Sequence, residues 1–143
     1  MTNSFLDISG SESANTNRDT NVHFVDLGLP SCTLWADRDV DVRPRSEESL
    51  PSYEQARELV EHCDIVFGTN SEGRFLCRVQ GPNGNHIDFP VEDYEGTPGP
   101  SACCWCRSGV SEEYGHFLLL LSECVITIGI GLRSLGYPYR IVI

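Results

Sequence analysis

Residues 101–143 read SACCWCRSGVSEEYGHFLLLLSECVITIGIGLRSLGYPYRIVI, and this stretch carries the strongest structural signal in the chain. It contains three apolar runs, at 117–121, 125–128 and 139–143. Short runs of apolar and β-branched residues that lie between turn-forming residues are typical of strands. The last third of the chain is therefore predicted to form a β framework.

Several residues in this stretch do not suit a packed framework. Three cysteines surround Trp105, the polar residues 122–124 interrupt the apolar pattern, and Gly129 and Gly131 follow. Because the side chains of a strand alternate between two faces, we expect one face to pack and the other to be exposed and free to vary. The side chains predicted to face the core are Leu119, Leu121, Ile126 and Ile128. Those predicted to face solvent are Leu120, Ser122, Thr127 and Gly129.

Upstream of this segment, the sequence predicts a β-meander with strands at 65–67, 74–80 and 86–91. The dipeptide Asn83-Gly84 separates the last two strands. Both residue types accept positive φ at little cost, which is the requirement of a type I′ hairpin turn. A type I′ turn is therefore predicted there.

One helix is predicted at 53–63. Ser52 is the expected N-cap, and Gln55, three residues later, completes the pattern of a capping box. Apolar residues recur at helical spacing and predict one buried stripe. The stripe consists of Ala56, Leu59, Val60 and Cys63.

The N-terminal part predicts a strand and turn at 22–30 and a second strand at 32–36, with Trp35 as a core anchor. A charged loop follows at 37–50. Residues 1–20 are polar and nearly free of large apolar side chains, so we expect a disordered or docking arm before a domain that spans 21–143.

Composition excludes several classes of function. The chain has 143 residues, 40% of them hydrophobic, which fits one domain. Its net charge of −11 repels phosphate, so neither nucleic acid nor an anionic membrane surface is an expected partner. The sequence shows no signal-peptide pattern and no apolar run of membrane-spanning length. We expect synthesis in the cytoplasm without a secretory signal, no membrane insertion, and a place in a virion or another released particle.

Cysteine chemistry offers rival interpretations. An odd number of cysteines, seven, leaves at least one unpaired, and reduced thiols are expected. The Cys103-x-x-Cys106 spacing admits zinc or redox chemistry, but a second such pair is missing. Cys104 or Cys106 could serve as a nucleophile with His116 as base, although no third, orienting group is evident. We therefore expect neither a metal, a cofactor nor enzymatic activity, and keep a cysteine enzyme and a zinc site as less favoured alternatives.

Five stretches occur in a familiar order: VDLGLPSCTLWA, LPSYEQARELVEHC, GPNGNHIDFPVEDY, the segment around Trp105, and RSLGYPYRIVI. In this order they resemble the Fibrobacter succinogenes major paralogous domain of gut Bacteroidetes, a family similar to C-type-lectin-like folds. The resemblance covers about residues 22–143. It implies an α+β, C-type-lectin-like fold with a twisted antiparallel sheet, one or two helices, and paired N- and C-terminal strands.

The departures from the family pattern suggest a function. The family has Tyr-Trp-Ser-Ser where this chain has Cys104-Trp105-Cys106-Arg107, and the later strands carry residue types that arise when adenines in Asn and Tyr codons change. This pattern resembles the variable region of a diversity-generating retroelement target. It implies a non-catalytic, calcium-independent module of a phage or bacterial surface that binds a protein or glycan ligand on a target surface. Trp105, Arg133, Gly136 and Arg140 would be framework.

The ligand-binding positions that this resemblance implies are Cys103, Cys104, Cys106, Arg107, Leu118, Leu120, Ser122, Thr127, Gly129, Gly131, Ser134 and Leu135. The alternative is a structural subunit of a homo-oligomeric assembly.

Overall fold

The computed structural model covers most of the chain, with gaps. It describes residues 15–17, 22–40, 44, 46–95, 97, 99–107, 113–121, 126–132 and 135–143, and gives the backbone alone at 15–17, 47, 126–128 and 132. Within these ranges the protein is a mixed α+β fold that consists of three antiparallel three-stranded sheets and one α-helix.

The first sheet has the order β1 (Asn15–Asn17), β2 (Val22–Asp26), β3 (Leu34–Ala36). β3 begins later than the predicted 32–36, because the chain turns at Cys32, whose φ is +64° and whose N–H donates to the carbonyl of Leu29. β1 lies inside the segment that composition predicts to be an arm. The rest of that segment lies outside the described residues, so the domain boundary stays a prediction.

The C-terminal segment closes this sheet. The backbone N–H of Leu34 donates to the carbonyl of Ile143 over 2.8 Å, and the reciprocal bond is 3.0 Å long. Tyr139 and Val142 form isolated bridges to Val40 and Trp35, so the predicted strand at 139–143 is a pair of bridges in place of a continuous strand. The end of the chain thus pairs with β3.

Helix α1 (Tyr53–His62) follows a 3₁₀ turn at Glu47–Ser49. The predicted capping box is confirmed: the N–H of Gln55 donates to Ser52 Oγ over 3.1 Å, and the N–H of Ser52 donates to Gln55 Oε1 over 2.8 Å. The predicted stripe is confirmed too, with two members buried and two half-buried against the main core. The buried pair is Ala56 and Leu59, and the half-buried pair is Val60 and Cys63.

The second sheet has the order β4 (Asp64–Thr69), β5 (Phe75–Gln80), β6 (His86–Pro90), as the meander predicts. The predicted turn type is wrong. Gly84 has φ +93°, but Asn83 has no positive φ, and the N–H of Gly84 donates to the Gly81 carbonyl over 3.0 Å.

The turn differs for two physical reasons. Pro82 fixes φ near −65° at the second turn position, which excludes type I′. The side chains of Asn83 and Asn85 both donate to the carbonyl of Asp26, over 2.8 and 2.9 Å, so the turn is shaped by its contact with the end of β2. A Cβ at Gly81 would overlap the carbonyl oxygen of Leu27.

The third sheet has the order β7 (Ser101–Trp105), β8 (Tyr114–Leu121), β9 (Ile126–Leu132). Alternation along β7 and β8 creates two faces. The inner face packs against α1, β5 and β6; its residues are Ala102, Cys104, Leu118 and Leu120. The outer face packs against Leu50 and Tyr137; its residues are Cys103, Trp105, Phe117 and Leu119.

None of the helices in the described ranges combines the length and apolar character that a membrane crossing needs.

Candidate ligand-binding face

Five of the predicted ligand-binding side chains are buried. Cys104, Cys106, Leu118 and Leu120 are fully buried, and Cys103 keeps 2% of its surface exposed. The prediction that they face solvent is wrong, because both faces of β7 and β8 are covered by other parts of the chain. Leu119 is buried at 6% exposure, as predicted, but it lies on the face opposite to Leu120.

The apolar run in β8 contained the signal for this arrangement. Four consecutive residues, 117–120, are buried. A strand that packs on both faces reads as a continuous apolar run, whereas a strand with one wet face alternates apolar and polar residues. The run therefore indicated that both faces of β8 are buried, and the prediction of a solvent-exposed face on this strand was wrong.

Gly129 and Gly131 lie beneath the ring of Phe117. A Cβ at Gly129 would stand 2.7 Å from Phe117 Cζ, and one at Gly131 would stand 3.1 Å from Phe117 Cε1. Both glycines are half-buried. Glycine in these positions makes room for a buried aromatic ring, which is the close approach that glycine inside a strand often marks. They are therefore not open surface positions.

The other predicted positions are less enclosed. Arg107 is half-buried: its Nη2 donates to the carbonyl of Glu48 over 3.0 Å, and its backbone N–H donates to the carbonyl of Pro51 over 2.6 Å. Leu135 is half-buried at the edge of the outer cluster. Ser122, Ser134 and the side chain of Thr127 lie outside the described residues.

The cysteines around Trp105 are separated by the sheet. Cys103 belongs to the outer cluster and Cys106 to the main core. Burial raises the pKa of Cys106 to about 12 and that of Cys104 well above its ordinary value, so both thiols stay protonated near neutral pH. Among the described residues, no group of three or more His, Cys, Asp or Glu side chains is placed to hold a metal ion.

A cavity of about 490 Å³ opens beside the outer face. Three segments that are distant in sequence supply its walls: Asp39 and Val40 follow β3, Glu92 and Tyr94 follow β6, and residues 136–139 precede the C-terminus. No sequence pattern predicted this cavity. Its only local signal was the pair of tyrosines at 137 and 139. The sequence does not indicate that these residues lie near Asp39 and Glu92.

Arg140 fixes one carboxylate of the cavity. It is fully buried, and its Nε donates to Asp39 Oδ1 over 2.8 Å. Its Nη1 donates to the carbonyl of Ala36 over 3.0 Å, and its Nη2 donates to that of Asp88 over 2.8 Å. The guanidinium carbon lies 4.1 Å from the centroid of Phe89. This network holds Asp39 in place, because moving it would break a buried, charge-assisted bond.

The aromatic wall is fixed by stacking. The ring of Tyr137 lies 5.0 Å from that of Trp105 and 4.7 Å from that of Phe117, between centroids. Its hydroxyl donates to the carbonyl of Glu95 over 2.8 Å, and Tyr94 meets it edge-on at 6.0 Å. Burial raises the pKa of Tyr94, and the neighbouring carboxylates of Glu92 and Asp39 raise it further. The hydroxyl of Tyr94 is therefore neutral near pH 7.

No protein-family model, curated protein or solved structure matches this chain.

Proposed function

We propose that this protein is a non-catalytic ligand-binding module with a C-type-lectin-like fold, and that it captures its ligand at the cavity beside the outer face. The observation that supports this is the cavity itself, with about 490 Å³ between a rigid aromatic wall and two carboxylates. Concave sites that combine aromatic side chains with a few fixed polar groups are typical ligand sites. The ligand would belong to a protein or glycan on a target surface.

The absence of catalysis in this proposal follows from the state of the thiols. Nucleophilic cysteine chemistry needs a thiolate and access to substrate. Cys104 and Cys106 are buried, and burial raises the pKa of both. His116, the base considered for them, makes a ring contact with Tyr53 at 6.0 Å between centroids.

We propose a diversified surface with fewer positions than the sequence predicted. Burial excludes five of the positions from this surface: Cys103, Cys104, Cys106, Leu118 and Leu120. The ring of Phe117 excludes Gly129 and Gly131. The proposed variable positions are then Arg107, Ser122, Thr127, Ser134 and Leu135. A virion or surface-display particle remains the proposed setting.

Arrays of defined peptides and glycans test ligand capture. Labelled wild-type protein is compared with Tyr139→Leu, which removes an aromatic ring from the cavity, and with Tyr53→Leu, an exposed tyrosine on α1, as the matched control. We expect bound features whose signal falls severalfold with Tyr139→Leu and is retained with Tyr53→Leu. Folded wild-type protein that binds no feature, or binding that only Tyr53→Leu disturbs, contradicts the proposal.

Mass spectrometry of the captured ligand tests the absence of catalysis. We expect its mass to be unchanged after prolonged incubation. A change of mass that disappears in Cys104→Ala or Cys106→Ala would assign this protein to the cysteine enzymes instead.

The second candidate function is a structural subunit of a homo-oligomer. β9 is an edge strand of its sheet among the described strands, and Ile130 on it is 60% exposed beside Tyr114, which is 41% exposed. Edge strands with exposed apolar side chains are prone to pair with another copy. Size-exclusion chromatography with light scattering tests this: an oligomer that Ile130→Arg converts to a monomer supports it, and a wild-type monomer excludes it.

A further inference from the structure

We propose that the cavity beside the outer face binds an organic cation, either an ammonium or a guanidinium group. This inference rests on the proposed ligand-binding function and names the chemistry of the ligand. Its source could be a small free amine or the side chain of a lysine or arginine in a polypeptide, and the experiment below separates these two.

The charge of the cavity favours a cation. Of the described residues that line it, two are carboxylates, Asp39 and Glu92, and none is basic. Arg140 offsets the charge of Asp39 through the bond from its Nε, and Glu92, which is exposed, adds a second negative charge. The chain as a whole carries −11, so the surrounding field attracts cations and repels anions.

The aromatic wall favours the same class. A cation within about 6 Å of a tyrosine ring is attracted by the negative face of the ring. Tyr94, Tyr137 and Tyr139 line the cavity, but Tyr137 is only 2% exposed, so the half-buried Tyr94 and Tyr139 provide the accessible aromatic surface. The ring of Tyr94 is held edge-on against that of Tyr137. A fixed ring loses little side-chain entropy when a ligand docks.

The chain provides an internal example of this recognition at the cavity wall. Asp39 already accepts a hydrogen bond from one guanidinium, that of Arg140, which also lies over the ring of Phe89. Asp39 Oδ1 is therefore already engaged by a guanidinium, and Glu92 supplies the exposed carboxylate for a second cation. A cavity of about 490 Å³ has room for one side chain of the size of lysine or arginine.

Isothermal titration calorimetry and NMR titration at low ionic strength test the inference. The probes are butylamine, ethylguanidinium and the blocked tripeptides Gly-Lys-Gly and Gly-Arg-Gly. Gly-norleucine-Gly and Gly-citrulline-Gly are their neutral counterparts. We expect saturable binding of the cations, at least tenfold tighter than that of the neutral probes, that weakens as salt is added. Small cations that bind as well as the peptides indicate a free amine, and binding of the peptides alone indicates a polypeptide side chain.

Two matched carboxylate variants locate the site. Glu92→Gln removes the exposed charge of the cavity, and Glu72→Gln removes an exposed charge in the turn before β5. Glu92→Gln should weaken cation binding roughly threefold to tenfold, and Glu72→Gln should leave it unchanged. Circular dichroism confirms that both variants are folded.

Three outcomes overturn the inference: no cation probe binds, the neutral probes bind equally well, or Glu92→Gln has no more effect than Glu72→Gln. If the wild-type protein still captures a neutral ligand on the arrays through Tyr139, the proposed function stands and the cation assignment alone fails. If it captures nothing, both fail.

Discussion

The two faces of the β7–β8–β9 sheet are both covered, but by different chemistry. The inner face is covered mainly by aliphatic side chains of α1, β5 and β6, together with Cys77 and the ring of Phe89, which pack with Leu118 and Leu120 at no exposure. The outer face is covered by aromatic rings and loops, and its packing ends at a cavity with two carboxylates.

This difference indicates which face of the sheet has room for a ligand. Small aliphatic side chains from regular elements interlock and leave little room for a ligand. On the outer face, Tyr94, Tyr137 and Tyr139 lie outside the helix and the named strands, and a cavity remains where the segments that carry them meet. We therefore assign the framework to the inner face and the proposed site to the outer one.

The largest expected effect comes from truncating the inner face. Leu118→Ala should lower the free energy of unfolding by about 2–5 kcal/mol, because it leaves a cavity among interlocked side chains. Leu119→Ala, one residue on and on the outer face, should cost less, since the loops that cover it can collapse into the space. Urea unfolding measures both. A smaller loss for Leu118→Ala than for Leu119→Ala would reverse the assignment of the two faces.

The next effect concerns Gly129. If this glycine makes room for Phe117, Gly129→Ala should destabilise the protein by about 1–3 kcal/mol through overpacking. In a Phe117→Leu background the same change should cost clearly less, which a double-mutant cycle measures. A freely variable surface position gives the opposite result, because alanine is favoured over glycine in an exposed strand by about 0.5–1 kcal/mol.

The pH dependence of stability tests the burial of Cys106 in the main core. Cys106 titrates near pH 9 when unfolded, and burial raises its pKa to about 12 in the fold. Its contribution to stability is complete below about pH 9 and is lost as the pH rises toward 12, by up to about 1.4 kcal/mol per pH unit. Urea unfolding between pH 8 and 10.5 should therefore show a decline that is shallower in Cys106→Ala. An equally steep decline in that variant would contradict the burial of this thiol.

The smallest effect is on thiol reactivity and involves no change in stability. Cys32 is exposed, whereas Cys104 is fully buried. Cys32→Ser should remove about one equivalent of the thiol that reacts rapidly with Ellman's reagent in the native protein, and Cys104→Ala should remove none. Both variants should lose one equivalent after denaturation. Rapid labelling of Cys104 in the native protein would contradict its burial.

The elements that sequence predicted well are those that local interactions fix. The capping box of Ser52 and Gln55 and the stripe around Leu59 depend on residues within two turns of one helix. The type I′ prediction at Asn83 was wrong for a local reason, since the adjacent Pro82 already excludes that turn type; only the contact of Asn83 with Asp26, 57 residues away, is tertiary. The exposure of Leu118 and Leu120 was predicted wrongly. The alternation of side chains along a strand shows which residues share a face, but it does not show which other part of the chain covers that face.

By itself, the sequence determined the helix, the β-rich character of the last third and the acidic net charge, since each follows from composition or from neighbours along the chain. Only the tertiary structure decided that both faces of the third sheet are covered and that Asp39, Glu92 and Tyr137 border one cavity. The physical reason is distance along the chain: bringing such distant segments together costs loop-closure entropy that tertiary contacts must offset, and no local pattern records which of them meet.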